Sequence, residues 1–386
     1  MKLAHLCFDG HAIGHTIPIF EHFYPNNNIW FISASLEPSS RIVKLDGENI
    51  NWIAPWIDES YLKLIQEKCI AEKVDSIILH GLIPYYLEVL KFLFREKKYK
   101  VYWVFWGFEL YRPLGYSGKM HLIDHDVFYN PISYIQPTKW AHLYWNVLLK
   151  HTDTEKRLIE FFDYIDYFCF WLYEDYLLLQ KYYPSQIKYK FFQYGANWKG
   201  RNDDYLMPGH YFDKEPHTIL INHQASTTGN HITLLKKLKS FKGIEDYQLI
   251  APLSYGSRVT RKYISWKGKI YFKNKFKTLI DFMPRDDYFN IIGKVEVALF
   301  GQLRQEAAGN IDFLLANGTK VFMREKNTLY QHYKKQGYIV YSFEHDLKSI
   351  EDLVGLSLED KEHNLKVHND TVICYEDFMP SLFENL

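Results

Sequence analysis

Two α/β domains, each built on a mainly parallel sheet, are predicted from three observations. Short apolar runs alternate with longer amphipathic segments along almost the whole chain, which is the rhythm of strands covered on both faces by helices. The 386-residue length exceeds what one ordinary hydrophobic core serves. The rhythm also breaks twice, from Arg112 to His151 and from Gln186 to Pro216.

The first strand is Leu3 to Phe8, an apolar run stopped by Asp9-Gly10, and Ile29 to Ile32 is the second. Asp58 suits an N-cap for a helix with Leu62, Ile65 and Cys69 at three- and four-residue spacing. After the strand Ser76 to His80, Pro84 opens a helix carrying Leu87, Leu90 and Phe94. Val101 to Trp106 and Tyr167 to Trp171 complete the first set. The second set is Thr218 to Asn222, Tyr247 to Ala251, Val295 to Gly301, Thr319 to Met323 and Tyr338 to Ser342. Between the third and fourth of these, Ala307, Ile311 and Leu314 mark the buried face of a helix that stops at Ala316-Asn317-Gly318.

Gly195, Gly200, Asn202, Asp203, Asp204, Pro208 and Gly209 give the second break the composition of a linker. Residues 1–209 are therefore expected to form the first domain, with an insertion near 112–150. Residues 210–386 form the second, whose last helix packs back on the first.

The 46 Lys and Arg residues balance 46 Asp and Glu, so no bulk charge draws the protein to nucleic acid, and none is expected as a partner. A hydrophobic fraction of 47% with 27 Phe, 31 Tyr and 10 Trp excludes a disordered chain. Cys7, Cys69, Cys169 and Cys374 lie far apart without a CxxC pair, so they read as reduced thiols and not as a disulfide frame or a zinc site. No metal and no cofactor is expected. The start, MKLAHLCFDGH, breaks into Asp and His before a signal-peptide core forms. The apolar stretch Phe161 to Leu179 holds Asp163, Asp166, Glu174 and Asp175 and does not suit a bilayer span. A cytoplasmic location follows as the expectation.

Ligands of open parallel sheets collect beyond the carboxyl ends of the strands, so the loops there carry the candidates. Asp9, His11 and His15 after the first strand, and Glu109 in Trp106-Gly107-Phe108-Glu109, are proton-transfer groups; Asp9, His15 and Glu109 are the candidate catalytic bases. In the second half, Asn222 leads into a small polar loop and then Gly229-Asn230-His231 at the start of a helix, where free amides and the helix dipole suit a phosphate. Pro252-Leu253-Ser254-Tyr255 repeats this arrangement one strand later. Arg304 and Gln305 are placed near the start of the helix containing Gly309 and Asn310, where the Arg fork can grip phosphate oxygens. These twelve positions from Asn222 to Asn310 are the candidate donor-binding residues. Two stretches that interleave basic and aromatic residues, Lys139 to Lys150 and Ile187 to Arg201, are candidate contacts with anionic membrane.

The strand, helix and Ala-Asn-Gly-Thr-Lys-Val-Phe of residues 316–322 resemble the late part of a GT-B glycosyltransferase donor domain. More narrowly, Asn230-His231-Ile232, Ala251-Pro252-Leu253-Ser254-Tyr255-Gly256, Met283-Pro284-Arg285-Asp286-Asp287-Tyr288, Arg304-Gln305 with Gly309, and Asn317-Gly318-Thr319-Lys320-Val321 occur in order. As a set they resemble the TDP-N-acetylfucosamine:lipid II N-acetylfucosaminyltransferases of enterobacterial common antigen synthesis. The chain departs from that pattern at Glu306-Ala307-Ala308 and at Gly229. The resemblance implies two Rossmann-like domains facing across a cleft, and metal-independent transfer of an N-acetylfucosamine- or fucose-like sugar. It implies a nucleotide-sugar donor of the dTDP type, a lipid-linked glycan acceptor, and work at the cytoplasmic face of the inner membrane in envelope polysaccharide synthesis. The alternatives are a nucleotide-sugar epimerase of similar fold, which needs no acceptor, and a sugar-binding scaffold without turnover.

Overall fold

The computed structural model describes residues 1–35, 37–45, 47–56, 58–124, 154–199 and 212–383. These fall into two compact units, one within Met1–Ser117, Thr152–Lys199 and Ile373–Leu386, the other within Gly118–His151 and Gly200–Val372.

The first unit holds seven parallel strands: β1 (Leu3–Phe8), β2 (Asn28–Ser33), β3 (Ile50–Ile53), β4 (Ser76–His80), β5 (Lys100–Val104), β6 (Tyr167–Cys169) and β7 (Lys188–Lys190). Their order is β3-β2-β1-β4-β5-β6-β7, so the direction of winding reverses between β1 and β4. β2 and β4 are buried along their whole length and β1 in all but its last residue, which explains why they read as unbroken apolar runs. Helices connect the strands as expected. Asp58 accepts the backbone N–H of Ser60 at 2.8 Å and caps the helix Glu59–Ala71, and Pro84 occupies the first turn of the helix Pro84–Leu93. Tyr375, Phe378, Met379, Leu382 and Phe383, from the end of the chain, lie in the same core as Phe20, Trp30 and Tyr102. Each such large side chain contributes roughly 2–3 kcal/mol when fully buried.

The second unit holds β8 (Glu215–Ile221), β9 (Gln248–Pro252), β10 (Phe276–Leu279), β11 (Val295–Phe300), β12 (Lys320–Met323) and β13 (Tyr341–Ser342). The order β10-β9-β8-β11-β12-β13 again reverses once, between β8 and β11. Two doubly wound α/β sheets are thus present, as the sequence predicts.

Three strands had no sequence signal: β3, β7 and β10, each at a sheet edge. Their sequences, Ile-Asn-Trp-Ile, Lys-Tyr-Lys and Phe-Lys-Thr-Leu, mix polar residues into four positions or fewer because one flank meets solvent. β7 lies within one of the candidate membrane stretches, in which Lys188 and Lys199 are exposed. Ile187 and Phe192 beside it are buried, Lys190 donates to the Leu382 carbonyl at 2.5 Å, Trp198 stacks on Phe23 and Lys199 pairs with Asp377. These contacts tie much of the described part of the stretch to the first unit; Lys139 to Lys150 lies outside the described residues. Within the stretch expected as an insertion, the described residues Gly118–Asp124 group with the second unit. There Ile123 packs on the core and the Asp124 N–H donates to Asn230 Oδ1 at 2.9 Å.

Candidate active site

In the second unit the sheet reverses between β8 and β11, and the loops following these two strands are joined side by side. Asn222 follows β8 in the left-handed region, φ 57°, which Asn tolerates better than most residues. Its Oδ1 accepts the Gly301 N–H at 2.8 Å and its Nδ2 donates to the Gly229 carbonyl at 2.8 Å. Asn230, also left-handed at φ 49°, is fully buried. Its Nδ2 donates to the Gly301 carbonyl at 2.9 Å and to the Leu122 carbonyl at 3.3 Å. Asn230 makes no side-chain cap on the helix His231–Lys239; its side chain instead fastens three segments together. Two asparagines inside a protein satisfy their polar groups only by such bonds.

Gly301 is required by this closeness. A Cβ there would meet the Gly229 carbonyl oxygen at 2.3 Å. A similar approach ties in the loop after β9, where Ala225 and Gly256 form an isolated bridge. A Cβ on Gly256, which has φ +97°, would lie 2.3 Å from the Ala225 carbonyl oxygen.

The loop after β11 runs Gln302 to Ala307, and the helix begins only at Ala308. Arg304 and Gln305 therefore lie in the loop that leads into the helix. The guanidinium of Arg304 pairs with Glu306, which is 8% exposed and accepts the Thr228 hydroxyl at 3.0 Å. Glu306 thereby joins the loops after β8 and β11 and holds Arg304 at the crevice. Ala307 is left-handed at φ 69° immediately before the helix Ala308–Ala316, a conformation costing about 1–2 kcal/mol for a residue with a Cβ. Buried Gln302 bonds His223 Nδ1 through Nε2 at 3.2 Å, and its backbone carbonyl accepts Asn327 Nδ2 at 3.1 Å. Burial pushes His223 down to about 4, against the opposing pull of Glu306, so the ring is neutral at pH 7. Burial likewise pushes His231 down to about 3.

The structure thus brings Asn222, Gly229, Asn230 and Arg304 around one crevice, with His231 enclosed beneath the loop. Pro252 and Leu253 are buried at the end of β9, and the Leu253 N–H donates to the Leu279 carbonyl at 2.7 Å. The Ser254 carbonyl accepts Arg261 at 2.5 Å, and Tyr255 is exposed, its ring edge-on to Phe282. Gly309 is exposed and Asn310 half-buried in the first turn of the helix. Glu306, Thr228, Gln302 and His223 were not singled out from sequence as donor-binding residues. Glu306 stands two positions from Arg304, a spacing that on a helix would keep them apart; the pairing needs the loop.

In the first unit the reversal lies between β1 and β4. Both oxygens of Asp9 are occupied, accepting the N–H groups of Ile42 and Val43 at 2.7 Å each. Asp9 therefore fastens the 42–43 loop. His15 is exposed on the helix His11–Phe23. Glu109 is 5% exposed beyond the ends of β4 and β5, where Oε1 accepts from Leu82 N at 3.3 Å, Trp103 Nε1 at 3.3 Å and Trp106 N at 3.2 Å. Burial pushes Glu109 up to about 7, opposed by these donors.

A buried chain lies behind this reversal point. His5 Nε2 bonds Asn28 Oδ1 at 3.1 Å, His5 Nδ1 bonds His80 Nε2 at 3.0 Å, and His80 Nδ1 bonds the Tyr194 hydroxyl at 2.6 Å. Burial lowers both imidazole pKa values, His80 to about 3. With both rings neutral and Asn28 Oδ1 able only to accept, every proton is assigned: His5 Nε2–H, His80 Nε2–H and Tyr194 O–H are the donors.

No protein-family model matches the chain. Solved structures do resemble it over its full length. A glycosyltransferase from Rickettsia africae aligns with a TM-score of 0.59 at 13% identity, covering 100% of both chains. A sucrose-phosphate synthase from Thermosynechococcus elongatus aligns with a TM-score of 0.60 at 9% identity, covering 98% of this chain and 96% of its own. The trehalose-6-phosphate structure from E. coli, bound with UDP-2-fluoro glucose, aligns with a TM-score of 0.56 at 12% identity over 100% of both. The fold is therefore GT-B, an α/β architecture of two Rossmann-like domains. At these identities the likeness establishes the architecture, and the chemistry rests on the residues at the strand ends.

Proposed function

We propose that the protein is a glycosyltransferase that takes its sugar from a nucleotide diphosphate donor bound at the β8–β11 crevice of the second unit. The single observation that carries this reading is the Arg304–Glu306 pair, fixed at the point where the sheet reverses and next to the start of the helix Ala308–Ala316. Amides at a helix start and a positioned guanidinium stabilise diphosphate charge as it develops on the leaving group. In the reaction the bond from the anomeric carbon to the donor phosphate breaks and a bond from that carbon to the acceptor oxygen forms. The acceptor proton passes to a base, and the nucleotide diphosphate leaves with the bonding electrons. Of the three candidate bases, His15 is the one whose side chain is exposed, since Asp9 spends both oxygens on the backbone and Glu109 is buried.

The motif resemblance adds a finer reading: a dTDP-linked N-acetylfucosamine- or fucose-like donor, a lipid-linked glycan acceptor, and work at the cytoplasmic face of the inner membrane. It is supported by the order of the motifs between residues 230 and 321. Among the described residues no helix is long and apolar enough to cross a membrane.

A thermal-shift screen of nucleotides and nucleotide sugars tests the donor reading, because a ligand that binds only the folded state raises its melting temperature. Nucleotide diphosphates and their sugars are expected to raise it, with thymidine compounds strongest. A flat response to all of them overturns the proposal.

A further inference from the structure

We infer that the helix Arg258–Phe272 and the edge beside it are a docking surface for an anionic phospholipid bilayer. Between Gly256 and Ile280 the chain carries eight Lys or Arg and no Asp or Glu, although the whole chain has 46 of each sign. The basic residues share a face with apolar ones. Arg258, Val259, Lys262, Trp266, Lys269 and Ile270 are all exposed and recur at the three- and four-residue spacing of one helical stripe. Trp266 is 54% and Ile270 50% exposed.

The opposite face fixes the helix to its own unit. Thr260, Ile264, Gly268 and Phe272 are buried, and Ile264 and Phe272 belong to the core of the second unit. The stripe is thus the outward half of an amphipathic helix, held rigidly in place. At the strand-end rim Ile280 and Phe282, the latter 74% exposed, add apolar surface on either side of the exposed Asp281, which marks the acidic limit of the patch.

Charge and shape together select the partner. Cationic side chains are drawn to lipid phosphate, each contributing about 1 kcal/mol near such a surface, while Trp, Ile and Phe gain by entering the headgroup and acyl boundary. A nucleic acid would satisfy the lysines but offers little to exposed aliphatic groups such as Val259 and Ile270. This inference stands on its own observations and not on glycosyl transfer, although a lipid-linked acceptor would give it a use. It also relocates the membrane contact expected from sequence, from residues 187–201 to the second unit.

The test is co-sedimentation of the full chain with vesicles of phosphatidylglycerol and phosphatidylethanolamine, against vesicles of phosphatidylcholine alone. Binding is expected on the anionic vesicles only, and is lost in 0.5 M salt on the order of the screening expected there. Replacing Lys262→Gln and Lys269→Gln together should lower partitioning about thirtyfold, the ~2 kcal/mol carried by two lysines, and Trp266→Ala should lower it several-fold. All three positions are exposed, so circular dichroism and the nucleotide thermal shift should be unchanged; these readouts separate a failure here from a failure of the donor reading. Equal binding to phosphatidylcholine, or variants that partition like the parent protein, overturns the inference. So does retention on a single-stranded RNA homopolymer stronger than on anionic vesicles, which would assign the patch to nucleic acid.

Discussion

Asn222 holds Gly301 across the reversal point of the second sheet, its Oδ1 2.8 Å from the Gly301 amide nitrogen, while its other side-chain atom holds Gly229. One side chain thus ties the loop after β8 to the loop after β11. Asn222→Ala would leave a buried N–H and a buried carbonyl without partners, at about 1–3 kcal/mol each. Urea denaturation should show a loss of about 2–6 kcal/mol, and nucleotide affinity should fall with it; a variant as stable as the parent would remove the fastening role.

The two close glycines differ in kind, and that difference is measurable. Gly301→Ala meets the Gly229 carbonyl and the edge of Leu234 at an ordinary φ, whereas Gly256→Ala meets the Ala225 carbonyl and also a φ of +97°. The second substitution should cost about 1 kcal/mol more than the first. Equal losses in paired denaturation curves would contradict the conformational contribution.

Arg304→Ala should weaken thymidine diphosphate binding at least tenfold in a calorimetric titration, since a charge-assisted pair to phosphate contributes on the order of 1.5–3 kcal/mol. Glu306→Gln keeps the shape but loses the charge that fixes Arg304, and should weaken binding by a smaller factor. Unchanged affinity in Arg304→Ala would remove Arg304 from the donor site.

Glu109 makes stability depend on pH. Its folded pKa of about 7 lies above the ordinary 4.5, so the folded state holds a proton that the unfolded state releases. The protonated carboxyl's stabilising contribution is full below about pH 4.5 and is lost as pH rises through 7. Glu109→Gln removes this loss, so its stability relative to the parent should improve between pH 5 and pH 8, by up to about 3 kcal/mol. A pH-independent difference would show that the carboxyl is ionised throughout.

His15→Ala should lower kcat by roughly a hundred- to ten-thousandfold with little change in donor KM, the signature of a lost proton acceptor. Asp9→Asn should act differently. It disturbs the anchorage of Ile42 and Val43 and should show mainly in thermal stability. If the two variants exchange these phenotypes, the base is Asp9.

The central strands were legible because burial on both faces leaves an uninterrupted apolar run, as in Ser76–His80. Edge strands such as Lys188–Lys190 were not, because half their environment is water and their sequence looks like surface. The site was legible to the level of which loops carry it. It was not legible which atoms face a ligand: Asn230 looks like a cap but spends its amide on carbonyls 71 and 108 residues away in sequence. Asp9 looks like a base but is bound to a loop 33 residues on. Such pairings are set by which strand ends the topology brings together, and local periodicity carries no record of that.

The first unit is closed by Tyr375, Phe378, Met379, Leu382 and Phe383, which reach its core only after the chain has traversed the second unit. On the ribosome, the half that is translated first is consequently the last to finish folding. Its β1–β7 sheet must wait with an apolar face uncovered while some 170 further residues emerge, about 10–35 s at ordinary synthesis rates. A nascent chain in that interval offers a chaperone its natural substrate, and a message cut short before residue 373 yields a product whose flaw lies at the opposite end from its break.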